Sequence, residues 1–154
     1  MSEDLLLRDE GETRRLAEAL ARALPKGSVL LLKGPMGAGK TTLVRHLAAA
    51  LGFRGRVTSP TYTLLHVYPT PKGPLLHADL YRLEDPRLAE ELGLFEEAGS
   101  ARLTAVEWGK EGLFPGEGVV VLELLPHPED PGARRVTLRT QDPELARTLA
   151  RLLK

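Results

Sequence analysis

The sequence predicts an α/β fold: one domain on a mixed, mostly parallel open sheet with helices on both faces. Two observations carry this. Continuous apolar runs such as SVLLLK (28–33) read as strands buried on both faces, and they alternate with segments of helical period. One such run leads straight into a glycine-rich loop and an amphipathic helix, the strand, loop, helix order of doubly wound sheets. Size agrees, because 154 residues with no internal repeat or flexible linker fit a single domain over 1–154.

The elements follow in order. RDEGETRRLAEALARALPKG (8–27) reads as a first helix: Asp9 and Glu12 have capping-box spacing, Leu16, Leu20 and Leu24 recur every four residues, and Pro25 and Gly27 stop it. SVLLLKG (28–34) reads as a buried strand. TTLVRHLAAALG (41–52) reads as a helix with Leu43, Leu47, Ala50 and Leu51 on one face and Gly52 at C′. TYTLLHVYP (61–69) and GPLLHADLYR (73–82) read as two strands joined by the turn TPKG (70–73). EDPRLAEELGLFEEAG (84–99) has helical spacing, with Pro86 near its start. RLTAVEW (102–108) is a short apolar run that reaches an acid. EGVVVLELL (117–125) and RRVTLRT (134–140) read as strands around the loop PHPEDPGA (126–133). DPELARTLARLLK (142–154) reads as a last helix, with Asp142 as N-cap and Pro143 at N1.

Composition excludes several classes. The net charge is zero, so a strong general affinity for nucleic acid is not indicated. Without cysteine there can be no disulfide, zinc thiolate site or cysteine nucleophile. The N-terminus MSEDLLLRDE lacks the pattern of a signal peptide, and no apolar run approaches the roughly 20 residues of a membrane span. A cytoplasmic protein without membrane association is the expectation. The sequence has no Asn, no Ile and one Gln, Gln141. Such a composition suits a thermophilic source, and a GC-rich genome would give the same bias; a melting midpoint below about 60 °C would count against the first reading.

The loop Gly34-Pro-Met-Gly-Ala-Gly39-Lys40-Thr41 satisfies the pattern G-x-x-x-x-G-K-[ST]. Its glycines allow positive φ and close approach of backbone to a ligand. Several N–H groups can then turn inward at a helix N-terminus and make an anion nest. Lys40 can reach β- and γ-phosphates, and the Thr41 hydroxyl can ligate Mg²⁺. The strand before the loop and the helix after it are the context that such a phosphate loop requires.

A P-loop site also needs a carboxylate near Mg²⁺ at the end of a neighbouring strand. Asp79 ends the run PLLHAD and Glu107 ends LTAVE, so either can serve. Trp108 follows Glu107 directly and, read alone, is a packing residue. His46, His66, His77 and His127 show no metal-ligand spacing and read as structural or surface histidines. VTSPTYT (57–63) crowds the hydroxyls of Thr58, Ser59 and Thr61 around Pro60, and it reads either as a turn or as a switch that senses the γ-phosphate.

GPMGAGKTT (34–42), TSPTYTL (58–64), HADLYRL (77–83) and AVEWGK (105–110) occur in this order, with DEGET at 9–13. Together these segments resemble the bacterial TsaE (YjeE) family, the ATPase component of tRNA threonylcarbamoyladenosine synthesis. The resemblance spans nearly the whole chain, and its later segments are more specific than the glycine loop. It implies a single P-loop NTPase domain that binds ATP and Mg²⁺ and hydrolyses ATP weakly alone. It implies the partners TsaD and TsaB, which modify the adenosine next to the anticodon, with ATP hydrolysis resetting the complex and tRNA reached through it; whether this chain touches tRNA itself is left open by the residues.

By position, the resemblance makes Lys40, Asp79 and Glu107 the catalytic residues, and Thr41 and Glu107 the metal ligands. Gly37, Ala38, Gly39, Lys40, Thr41 and Thr42 would hold the nucleotide, with Glu10, Thr13, Trp108 and an arginine of the late loop, Arg134 or Arg135. Thr58, Ser59 and Thr61 match the switch-like segment. Gly109 stands where many members of the family have proline.

Three other functions are weaker on the residues. A small-molecule kinase on the same fold would carry a mobile, Arg-rich lid, whereas after Glu107 this chain has RRVTLRT, which reads as a strand. A Ras-type GTPase reads guanine with an Asn-Lys-x-Asp segment, and no Asn is present. A binding module with a degenerate site is disfavoured by the intact Lys40, Thr41 and acids.

Overall fold

The computed structural model describes residues 2–57, 65–81, 93–109, 114 and 118–152. In chain order the elements are β1 (Ser2–Leu7), α1 (Glu10–Ala23), β2 (Ser28–Lys33), α2 (Lys40–Ala50), β3 (Leu65–Tyr68), β4 (Leu75–Asp79), α3 (Leu94–Ser100), β5 (Leu103–Glu107), β6 (Val119–Pro126), β7 (Arg134–Thr140) and α4 (Pro143–Leu152). The strands form one sheet of seven in the order β1-β7-β6-β2-β5-β4-β3. The central β6, β2, β5 and β4 run parallel, while β1, β7 and β3 pair antiparallel towards the edges. This is the open α/β sheet that the sequence predicts.

Local chemistry sets most element ends. Asp9 caps α1 by accepting from the Glu12 N–H at 2.9 Å. The return arm of the expected capping box is shifted by one residue, since the Glu12 carboxylate accepts from Arg8 N–H rather than from Asp9 N–H. α2 ends in a Schellman motif: Phe53 N–H bonds Ala48 C=O, Gly52 N–H bonds Ala49 C=O, and Gly52 has φ +97°. Asp142 caps α4 through bonds from Glu144 and Leu145 N–H. β1 is the element that the sequence does not announce. Its partner β7 lies over a hundred residues away in the chain, with Leu5 opposite Val136 and the Thr137 hydroxyl donating to Asp4. The expected strand over 61–69 is described only as β3, and most of the expected helix over 84–99, Pro86 included, lies outside the described residues.

The core has two layers. On one face of the sheet Leu30, Leu32, Ala105, Leu122 and Leu138 pack with Leu16 and Leu20 of α1, Leu43 and Leu47 of α2, and Leu149 of α4. On the other face Val29, Leu31, Leu76, Ala78 and Val106 pack with Leu94 and Ala98 of α3. β2 is therefore buried on both sides, as its unbroken leucines require. No helix among the described residues is long and apolar enough to cross a membrane.

α2 rests on this core through Leu43 and Leu47, both fully buried. Leu47→Ala is expected to lower unfolding free energy by about 2–5 kcal/mol, the range for a fully buried leucine. Urea denaturation measures it, and a loss under about 1 kcal/mol would contradict this packing.

Candidate functional site

The site begins where β2 runs out. Gly34 has φ +143°, and a Cβ there would lie 2.2 Å from the Leu124 carbonyl oxygen of β6, so only glycine fits. The chain then curls through Gly37 (φ +78°) and Gly39 (φ +103°) into α2. Gly39 is the N-cap of α2 and offers no side-chain cap, and the first turn holds no acid. By contrast, α1 is capped by Asp9 and carries Glu10 and Glu12 in its first turn. The positive end of α2 is thus left for an outside anion, and the loop fits a phosphate group.

Lys40 is 5% exposed, an unusual burial for an ammonium group. Its Nζ donates to Gly34 C=O at 2.6 Å and stands 3.4 Å from the centroid of the Trp108 ring. Burial lowers its pKa from the ordinary 10.5, and the carboxylates of Glu107 and Asp79 oppose that shift without cancelling it. Trp108 is the non-glycine residue with positive φ (+63°) among the described residues. Its ring also meets Tyr81, with centroids 5.0 Å apart.

The two acids come together through strand register. Leu32 of β2 is opposite Glu107 of β5, which is opposite Asp79 of β4. Both acids therefore sit at the carboxyl ends of parallel strands, where open α/β sheets bind ligands. Glu107 is 4% exposed, and each of its carboxylate oxygens lies 3.4 Å from Thr41 Oγ1. A hydroxyl and a carboxylate facing each other across that gap are hard oxygen donors that could hold Mg²⁺, directly or through water. Among the described residues no three His, Cys, Asp or Glu side chains cluster to form a metal cage. Mg²⁺ usually takes one or two protein oxygens plus phosphates and water, so this sparse set fits it. Asp79 accepts from Tyr81 N–H at 3.0 Å, which orients its carboxylate.

The structure also sorts the remaining expected residues. Arg134, not the exposed Arg135, meets the glycine loop: its Nε donates to Ala38 C=O at 2.9 Å and its guanidinium to Gly37 C=O at 3.3 Å. It does so from the first position of β7, not from the loop before it, and these bonds brace the loop. Ala38 is buried, and Thr42 is half-buried beside Thr41 in α2. Glu10 and Thr13 are not joined to the loop by any hydrogen bond among the described residues. Glu10 instead meets His46 of α2 at 3.1 Å, roughly 9 Å along the helix axis from Lys40. Thr58, Ser59 and Thr61 lie outside the described residues.

One residue escaped the reading of the sequence. His77 is fully buried, and its Nε2 lies 2.5 Å from Glu107 Oε2. The signal was available in the two-residue spacing to Asp79, which puts both side chains on one face of β4.

The chain is similar to known proteins over most of its length. A family model described as "Threonylcarbamoyl adenosine biosynthesis protein TsaE" matches residues 7–136. The tRNA threonylcarbamoyladenosine biosynthesis protein TsaE of Rickettsia bellii is 37% identical over 129 residues, 83% of each chain. That of Aquifex aeolicus is 40% identical over 124 residues, 79% of this chain and 87% of its own. The crystal structure of Bacillus subtilis YdiB superposes with a TM-score of 0.76 at 26% identity, covering 99% of this chain and 94% of that one.

The buried Lys40 gives stability a defined pH dependence. Its pKa is lower folded than unfolded, so between the depressed value and 10.5 the unfolded chain binds more protons. Stability contributed at this site therefore rises with pH across that interval. Lys40→Met removes the titration. The unfolding free energy of the variant minus that of wild type is expected to be largest near neutral pH and to shrink as pH climbs. Urea unfolding from about pH 7 to about pH 11 checks the sign, and a difference that stays level or grows contradicts it.

Proposed function

Because this chain belongs to the TsaE family, we propose that it is an ATP-binding, Mg²⁺-dependent P-loop ATPase serving tRNA threonylcarbamoyladenosine biosynthesis. Its place in that biosynthesis follows from the family. The ATPase reading rests above all on one observation: Thr41 and Glu107 face each other 3.4 Å apart beside a lysine held inside the glycine loop.

On this reading the first-turn N–H groups of α2 bind phosphate oxygens. Lys40 would donate to β- and γ-phosphate oxygens, which suit its charge better than a carbonyl does. Thr41 and Glu107 would hold Mg²⁺, which would supply neutralisation of developing charge on the phosphates. Asp79, beside Glu107 at the strand ends, orients the attacking water. Arg134 keeps the loop in shape by gripping its carbonyls. The partners would be TsaD and TsaB, with hydrolysis resetting their complex and tRNA reached through them. Support for the partners is the family resemblance of segments 58–64, 77–83 and 105–110.

Nucleotide titration and phosphate release test the site. Lys40→Ala is expected to weaken ATP binding about 10–100-fold, the loss of a charged hydrogen bond of about 1.5–3 kcal/mol. Glu107→Ala is expected to keep ATP affinity within about fivefold while turnover falls about 100-fold, the scale of losing one group that stabilises developing charge. Near-normal affinity in the first variant would sink the phosphate-loop assignment, and unchanged turnover in the second would transfer the principal acid role to Asp79. A pull-down with ATP and with ADP tests the partners, with capture of TsaD and TsaB expected in one nucleotide state only.

A further inference from the structure

A carboxylate at the end of a strand can adopt several rotamers, and Glu107 has a neighbour that selects one. His77 precedes Asp79 by two positions on β4, so both project to the face of the sheet that α2 covers. Opposite His77 stands Ala105, whose single methyl leaves space for an imidazole beside it. The ring is fully buried, and its Nε2 meets Glu107 Oε2 at 2.5 Å. Its Nδ1 is also buried and has no hydrogen-bond partner among the described residues.

An unpaired buried polar atom costs about 1–3 kcal/mol. A leucine at this position would have no such polar atom to satisfy, and Leu75 is fully buried two residues earlier on the same face. The imidazole therefore stands against the local stability optimum, and its hydrogen bond among the described residues goes to Glu107. We propose that His77 is a positioning residue: its Nε2–H anchors Oε2 and so keeps the carboxylate turned toward Thr41. His77 acts through Glu107 and touches neither nucleotide nor metal. The inference rests on the site reading given above, in which Thr41 and Glu107 hold Mg²⁺.

Three variants separate this role from packing. His77→Gln can place an amide N–H near the Nε2 position, His77→Asn falls short of it, and His77→Leu fills the volume without a donor. Melting curves first establish that each is folded, and Asn replaces Leu as the donor-deficient variant if Leu does not fold. ATP binding is followed by fluorescence of Trp108, the single tryptophan, with EDTA and with increasing Mg²⁺. The donor-deficient variants are expected to bind ATP in EDTA like wild type but to need about 10–100-fold more Mg²⁺ for the metal-dependent change. In hydrolysis kcat should fall by a similar factor, with KM for ATP changing less than about threefold. His77→Gln should return both readouts to within about threefold of wild type. Combined with Glu107→Ala, the histidine variants should add no further loss.

A wild-type Mg²⁺ response in the Leu and Asn variants overturns the inference. So does an equal defect in the Gln variant, because packing of the ring would then be what matters. Wild-type protein with no Mg²⁺ response would overturn the site reading itself and this inference with it, so the two failures are told apart.

Discussion

The parallel pairing of β2, β5 and β4 is the constraint from which the site follows. Leu32, Glu107 and Asp79 stand in one row across these strands. The row places two acids beside the point where β2 gives way to the glycine loop. A slip of one residue in β5 would turn Glu107 to the opposite face, into the apolar layer of Val29, Leu31 and Leu76. The leucines of β2 do little to prevent such a slip, because leucine suits both faces. Register is pinned instead by places where only one fit works. Gly34 passes so close to Leu124 C=O that no side chain is tolerated, and Ala105 is small where His77 needs room.

Burial of charge follows the same geometry. The buried polar residues among those described are Thr13, Ser28, Lys40, His77, Thr104, Glu107 and Thr140. The three with ionisable side chains are Lys40 at the start of α2, His77 within β4 and Glu107 at the end of β5, and the first two both meet the field of Glu107. Isolated in the core, each would be costly. Together they are largely satisfied: Lys40 by Gly34 C=O and the Trp108 face, Glu107 by His77 with the Thr41 hydroxyl near by. Surface ion pairs such as Arg14–Glu18 contribute little and could sit anywhere on the molecule. Concentrated buried charge is the physical mark that separates this end of the sheet from the rest.

Much of this was legible in the sequence because it is local. The glycine loop, the cap at Asp9, the stop at Gly52 and the leucine rows of α1 and α2 are set by neighbours within a few residues. The two acids could be placed because each ends an apolar run. What stayed hidden depends on partners distant in the chain. β1 is a strand by virtue of β7. Arg134 and Arg135 look alike as letters, and pairing of β7 with β6 decides which of them reaches the glycine loop. His77 read as an ordinary structural histidine because its importance lies in Glu107, thirty residues on.

Trp108 shows how one backbone torsion links these parts. In a regular strand successive side chains point to opposite faces, so the residue after Glu107 would turn away from the loop. Trp108 instead adopts φ +63°, a conformation that a bulky residue occupies only against strain. That turn lets Glu107 face Thr41 while the next ring covers Lys40. The indole face satisfies an ammonium group that burial has stripped of water, and Tyr81 packs against the same ring from the end of β4. Lys40 is thus held by two contacts, a carbonyl and a ring, both weaker for an ammonium than phosphate oxygens are. The strained turn at Trp108 thus serves two groups at once, setting the acid toward the Thr41 hydroxyl and the ring over the Lys40 ammonium.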